Sequence, residues 1–126
     1  MVHNADAAMA KACSLTGVSV ANYTAAPVYT TDRSKGRHQW LVEFETAPAD
    51  IPAFAAVLDE ALQSVNSDYQ AKRSGDIFLS RLTITVARRG LFDDWLASTG
   101  KLGGQRKVPR LCPDPHIIEP MLTFTR

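Results

Sequence analysis

Cysteine is scarce in this chain of 126 residues: only Cys13 and Cys112 occur. Two cysteines make no disulfide framework, and their spacing suits no metal site, so two reduced thiols are expected. The three histidines, His3, His38 and His116, are far apart and share no ligand spacing. Each is expected to be solvated or packed. No apolar run approaches the roughly 20 residues needed to span a bilayer. The opening Met-Val-His-Asn-Ala-Asp lacks the basic and apolar regions of a signal peptide. An excess of one charge is also missing: the net charge is +1, which excludes a strongly basic protein that coats nucleic acid. There is no internal repeat and no low-complexity tract. These absences leave one soluble, cytoplasmic domain as the expectation, with no membrane partner.

What is present fits a packed globular domain. Hydrophobic residues make up 45% and charged residues 21%, which excludes a chain too polar to bury a core. The small net charge hides an asymmetry. Residues 1–60 carry seven acidic against four Lys or Arg residues, and residues 61–126 carry six against ten. Any clue to function is therefore expected in the second half.

The hydrophobic periods predict helices and strands in alternating blocks. Ala5, Ala8, Met9, Ala12 and Leu15 form one narrow apolar face of a first helix, with Asn4 or Asp6 as its cap and Gly17 as its left-handed stop. Val18–Tyr29 reads as a strand that Pro27 ends or confines to an edge. Thr30–Gly36 is a polar turn. Arg37–Glu45 is the clearest strand, with His38, Trp40, Val42 and Phe44 facing one way and Gln39, Leu41 and Glu43 the other. The two strands make an antiparallel hairpin.

Asp50 and Pro52 open a second helix with a stripe of Ile51, Phe54, Leu58, Leu62 and Val65, broken at Asn66. Ser67 and Gln70 read as a capping box for a short helix, Ser67–Arg73. Ile77–Leu79 adds an extended piece. Leu82–Ala87 is a third strand, with Leu82, Ile84 and Val86 on one face. Arg88-Arg89-Gly90 turns the chain, its charge compensated by Asp93 and Asp94. A helix follows from Leu91 to Ser98, with Leu91/Trp95 and Phe92/Leu96 pairs and Gly100 as its stop. A helical turn is expected around His116–Met121. This order is not the strict alternation of a parallel doubly wound sheet. It predicts an α+β fold, a small sandwich of one mixed or antiparallel sheet of about three to four strands with helices packed on it.

The stretch after that helix differs in kind. No acidic residue occurs between Trp95 and Pro113, while Lys101, Arg106, Lys107 and Arg110 do, interleaved with Gly100, Gly103 and Gly104. Glycine lets a backbone approach a ligand closely, and unopposed cations raise the local potential. The pattern suits an anion such as phosphate. It is neither a Walker loop nor a dinucleotide fingerprint. The residues alone leave two alternatives open beside a solvated surface loop: part of an enzyme site, or a non-catalytic anion- or nucleic-acid-binding interaction module. Against the latter, no aromatic residue is interleaved with the cations between Lys101 and Leu111, so base stacking is poorly supplied.

Three runs carry a family resemblance. Gly100-Lys101-Leu102-Gly103-Gly104-Gln105-Arg106-Lys107-Val108-Pro109-Arg110-Leu111 resembles the C-terminal signature of the Gretchen Hagen three family, the auxin-responsive acyl acid amido synthetases, which include bacterial members. Val65-Asn66-Ser67-Asp68-Tyr69-Gln70-Ala71-Lys72-Arg73 and Gly90-Leu91-Phe92-Asp93-Asp94-Trp95-Leu96 resemble two further runs of that family, in the same order. The strand Gly36–Phe44 fits more loosely.

The resemblance implies an adenylate-forming ligase. Such enzymes join a carboxylic acid to ATP, release pyrophosphate and pass the acyl group to an amino-acid amine. ATP, Mg²⁺ and acyl acid bind a large N-terminal domain, over which a small C-terminal domain swings. By this resemblance residues 1–126 correspond to the small domain, with the hinge and the large domain missing. It is expected to be inactive and to hold no cofactor by itself, with the large domain as its partner in cis. The resemblance gives Lys101 and Lys107 catalytic roles on phosphate or carboxylate oxygens, and Gly103, Gly104 and Arg110 contact with the nucleotide. Arg110 has an alternative as a cap for carbonyls near the tail, and Arg106 is expected to be solvated. Lys72 and Arg73 are read as cations favoured at a helix C-terminus, with a place at the hinge or domain interface as the alternative. Tyr69, Trp40, Phe54, Phe92 and Trp95 are expected in the core.

Overall fold

The structure, a computed structural model, describes residues 2–29, 36–73, 80–98 and 121–122. In chain order these form α1 (Val2–Thr16), β1 (Ser19–Tyr29), β2 (Gly36–Thr46), α2 (Ile51–Val65), α3 (Ser67–Arg73), β3 (Thr83–Ala87) and α4 (Leu91–Ser98). Met121 and Leu122 are helical as well. The expected turn at 30–35, the extended piece at 77–79, the stop at Gly100 and the rest of the tail turn lie outside the described residues.

The described strands form one sheet in the order β1-β2-β3. β1 and β2 pair antiparallel, from Ser19 opposite Thr46 to Tyr29 opposite Gly36. β2 and β3 run parallel, with Trp40 opposite Ile84 and Glu43 opposite Ala87. The sheet is therefore mixed, and the fold is the expected α+β sandwich. A parallel neighbour needs a crossover, and the two helices α2 and α3 supply it. Pro27 does not end β1. It pairs with His38 inside the strand, which is tolerated because β1 lies at the sheet's edge.

Strand β2 is covered on both faces, and its alternation sorts the core into two clusters. Trp40, Val42 and Phe44 pack with Tyr23 and Ala25 of β1 against Ala8 and Met9 of α1 and Phe54, Leu58 and Leu62 of α2. On the other face Leu41, Ala26 and Ala87 meet Leu91 and Phe92 of α4 and Met121, with Trp95 and Leu96 half-covered beside them. Tyr69 and the aromatic residues expected in the core are buried, apart from half-buried Trp95.

Local sequence explains most boundaries. Asp50 accepts a hydrogen bond from Ala53 N at 3.1 Å and caps α2. Asn66 ends α2, its N–H bonded to Leu62 O, and its Oδ1 accepts from Tyr69 N at 3.1 Å to begin α3. The cap of α3 is thus Asn66 and not Ser67, because one asparagine serves both helix ends. Gly17 takes φ +73°, the left-handed conformation expected of the stop after α1.

Two expectations fail for stated reasons. Asn4 and Asp6 lie inside α1 and not at its cap, since their side chains serve tertiary contacts: Asn4 Nδ2 donates to Val65 O, and Asp6 accepts from Tyr23 Oη. Leu15 is 68% exposed. It stands in the last turn of α1, beyond Ala8 on the margin of the stripe and about 70° from the stripe's centre. Val86 shares a face with Ile84 as expected, the two standing opposite Val42 and Trp40, and is 48% exposed.

Trp40 stacks on Tyr23 at 5.2 Å between ring centroids, yet its Nε1 is buried without a hydrogen-bond partner. An orphaned buried donor costs about 1–3 kcal/mol. Trp40→Phe removes that donor while keeping most of the packing, so it is expected to cost about 1 kcal/mol or less, against about 3–5 kcal/mol for Trp40→Ala. Urea unfolding of both variants checks this; equal losses would show that the indole N–H is bonded after all.

Candidate functional site

Every site residue that the sequence singles out, Lys101, Gly103, Gly104, Lys107 and Arg110, lies outside the described residues, as do Arg106 and Cys112. What the structure describes is the mount from which that basic segment departs. Helix α4 ends at Ser98, two residues before Gly100.

The start of α4 is fixed from across the sheet. The chain leaves β3 at Ala87, turns through Arg88-Arg89, and enters the helix at Gly90 with φ +86°, a value L side chains rarely adopt. Gly90 stands where helices usually carry a capping side chain, and it has none. The carboxylate of Glu43 on β2 takes over. Its Oε2 accepts from Gly90 N at 3.1 Å and its Oε1 from Phe92 N at 3.2 Å. Glu43 is buried, directly opposite Ala87 in the register. Arg88 bonds Asp94 at 2.8 Å, so the turn is locally compensated as expected, whereas Arg89 Nε lies 3.9 Å from Glu43 Oε2.

A second polar centre lies on the opposite face, in the run 65–73 that resembles the family. Asp59 of α2 is 1% exposed. Its carboxylate accepts from Tyr69 Oη at 2.5 Å, Arg73 Nε at 3.0 Å, Gln63 Nε2 at 2.9 Å and Leu82 N at 3.4 Å. Arg73 is therefore more than a cation at the end of α3, and its Nη2 also lies 3.0 Å from Asp59 Oδ2. Lys72 has the exposed role expected of it, pairing with Asp68 at 3.2 Å. The His38 ring lies tilted against that of Tyr69, 5.4 Å between centroids, and burial lowers its pKa, opposed in part by Asp59.

The cluster combines a carboxylate, a phenol, a guanidinium and an imidazole, but its electrostatics make it structural. Burial alone raises the Asp59 pKa; the donors from Arg73, Tyr69 and Gln63 and the charge of Arg73 outweigh it and hold the group below the ordinary carboxylate range. Burial and Asp59 push the Tyr69 phenol far above its usual value, so it stays protonated. Neither group is poised to exchange a proton near neutrality.

Elsewhere, a groove between α1 and β1 is lined by Asp6, Cys13, Asn22, Tyr23 and Glu45 among others. Cys13 is a free thiol whose pKa burial raises, in keeping with an unreactive cysteine. No group of His, Cys, Asp or Glu fit to hold a metal ion occurs among the described residues, and none of the described helices is long and apolar enough to cross a membrane.

A group with a depressed folded pKa contributes stability above its unfolded pKa and loses it as pH falls toward the folded value. Asp59 therefore stabilises the fold fully at neutral pH, and that contribution drains away below about pH 4, where unfolded carboxylates protonate. Asp59→Asn is expected to cost about 3–5 kcal/mol at pH 7 by breaking the buried pair with Arg73, and to flatten the acid limb of the stability curve. Urea unfolding of both proteins from pH 7 to pH 3 checks it; parallel acid limbs would assign the loss to other carboxylates.

Comparison with known proteins places this architecture. A sequence model described as the GH3 family C-terminal domain matches residues 3–116, a span that includes the basic segment. No curated protein sequence matches the chain. Among solved structures, a GH3.15 acyl acid amido synthetase superposes with a TM-score of 0.67 at 15% identity, covering 93% of this chain and 22% of that one. An AtGH3.15 acyl acid amido synthetase in complex with 2,4-DB superposes with a TM-score of 0.69 at 14% identity, covering 96% and 22%. At such identities the likeness concerns the fold, and this chain spans less than a quarter of either relative. The family match extends from the first turn of α1 past the basic segment, and on that ground the chain belongs to the GH3 family as a C-terminal domain.

Proposed function

We propose that this domain serves an ATP-dependent acyl acid amido synthetase as its mobile C-terminal part, inactive alone and acting on a large nucleotide-binding domain in cis. The observation that carries the reading is the family match through residues 3–116, which embraces Lys101, Gly103, Gly104, Lys107 and Arg110. ATP, with Mg²⁺ on its phosphates, supplies the adenylyl group on the large domain; none of the residues described here is assigned to the metal. The working compartment is the cytoplasm.

The chemistry explains why such an enzyme wants cations on a separate body. When a carboxylate attacks an α-phosphate, two anions meet and negative charge builds on the phosphoryl oxygens. The Lys101 ammonium stabilises that charge, and Lys107 is the second cation on the same segment. Gly103 and Gly104 let the backbone come close, and Arg110 adds a guanidinium that stays charged at any working pH. Amide formation then needs room for an incoming amine. A lysine on a domain that moves serves the first step and withdraws for the second.

Charge placement agrees with this division of labour. Lys72, Arg73 and Arg88 are paired with carboxylates of their own domain. Residues 99–126 hold five Lys or Arg against two acidic residues, most of the positive excess of the second half.

In the full-length enzyme, Lys101→Ala is expected to lower acyl-dependent pyrophosphate exchange by about 10²–10³-fold without shifting the unfolding midpoint. Wild-type exchange in that variant removes Lys101 from the mechanism.

A further inference from the structure

We infer that Glu43, on a strand far from the basic segment in sequence, is the positioning residue that sets where that segment starts. The inference rests on the proposed role of Lys101 and adds to it a residue outside the three runs that carry the family resemblance most closely.

The argument begins with the weakness of α4. It has eight residues, and isolated helices shorter than about 12–15 residues are marginal in water. Its N-terminal residue Gly90 brings no capping side chain, and Asp93 and Asp94 in its first turn are exposed. Three things hold it: the apolar contacts of Leu91 and Phe92 with Leu41, Ala26, Ala87 and Met121, the exposed Arg88–Asp94 pair that joins its first turn to the turn just before it, and the carboxylate of Glu43, which alone among the described residues ties its amides to the sheet. Apolar contacts leave a helix free to slide and rotate by small amounts. Two directed hydrogen bonds from one carboxylate to Gly90 N and Phe92 N do not, because both oxygens and both amides are fixed at once.

Glu43 can do this because β2 is the central strand. Its backbone is paired on both sides, with Asn22 on β1 and Ala87 on β3, so the carboxylate is mounted on the stiffest part of the domain. The alternation of β2 points Glu43 to the α4 face, away from Trp40, Val42 and Phe44. The helix it caps runs without interruption to Ser98. The origin of the segment bearing Lys101 is thereby referred to the middle of the sheet. Misplacing a catalytic group by about 1 Å costs on the order of 10²-fold in rate. The polar tie therefore has a consequence for chemistry beyond the stability of α4.

The test is a double-mutant cycle in the full-length enzyme, reading acyl-dependent pyrophosphate exchange and, separately, amide formation from supplied acyl-adenylate. Glu43→Gln keeps the shape and one carbonyl acceptor; Glu43→Ala removes both acceptors. Working temperatures stay well below each variant's unfolding midpoint. Glu43→Ala is expected to lower exchange about 10–100-fold and Glu43→Gln several-fold, with amide formation from the adenylate nearly unchanged. Combined with Lys101→Ala, each is expected to lower exchange by a smaller factor than it does alone, since a lysine that is gone cannot be misplaced. Hydrogen exchange at the amides of Phe92 and its neighbours in α4 is expected to quicken in the same order. An additive double mutant, or equal loss in both half-reactions, overturns the positioning role while leaving Lys101 in place. Wild-type exchange in Lys101→Ala alone overturns the reading on which it rests. If Glu43→Ala does not fold, the same comparisons are made with Glu43→Gln.

Discussion

A buried carboxylate must find its hydrogen-bond donors inside the protein, and Asp59 finds them on three separate elements. Gln63 comes from α2 itself, Tyr69 and Arg73 from α3, and Leu82 N from the chain entering β3. Removing water from a carboxylate and a guanidinium is costly, and the cost is recovered only when every donor arrives in place. The network thus forces α3 to fold back on α2 and brings the chain to the right height to join β2 in parallel. Without it, the crossover from β2 to β3 would rest on apolar contacts that fix proximity but not register. The opposite face has a smaller counterpart in Glu43, which ties α4 to the same strand. Each layer of helices is therefore held to the sheet by packing and registered by one buried carboxylate.

That arrangement suits the proposed role, in which the domain moves as a unit. A lid whose helices shifted on its own sheet would deliver a cation to variable places, however well the hinge behaved. Directed bonds to buried charge are steeper functions of geometry than hydrophobic contacts, so they stiffen the body where packing alone would tolerate drift. The groups that provide this stiffness are held away from proton exchange near neutral pH: Asp59 is kept charged by its donors and Tyr69 protonated by its surroundings. Neither group changes its charge near neutral pH, so this network keeps its hydrogen bonds there.

Much of the fold was legible in the sequence, because most of its elements follow local rules. The period of β2, the Asp50 cap, the break at Asn66 and the span of α4 all rest on residues within a few positions of one another. The two carboxylates were not legible, and the reason is physical. Asp59 lies on the apolar face of α2 between Leu58 and Leu62, where a charge is out of pattern, but its partners are 10, 14 and 23 residues away. Glu43 looks like one solvent-facing residue of an alternating strand; only the presence of α4 on that face makes it buried, 47 residues from the glycine it bonds. The capping box at Ser67 erred for a related reason, since an asparagine that ended one helix was free to begin the next. The basic segment was legible because residue order and glycine content, both local, mark it out.

The charge distribution joins these observations. A lysine meant to meet phosphate loses its value if a carboxylate of its own domain neutralises it, and a surface with many such cations would bind anions indiscriminately. The domain separates the two demands. Between Asp59 and Asp94, Lys72, Arg73 and Arg88 meet carboxylates within 3.2 Å, and these ion pairs lie within the domain's own elements. Past α4 the acids stop until Asp114, and Lys101, Arg106, Lys107 and Arg110 have no acidic neighbour in sequence. Cations that remain uncompensated repel one another, and a partner's opposite charge relieves that repulsion. In the proposed role, a polyphosphate bound on a neighbouring domain would supply that charge for part of each turnover and then withdraw it. A concentrated, weakly opposed positive segment on a stiff mount is the form that a transient electrostatic partner requires.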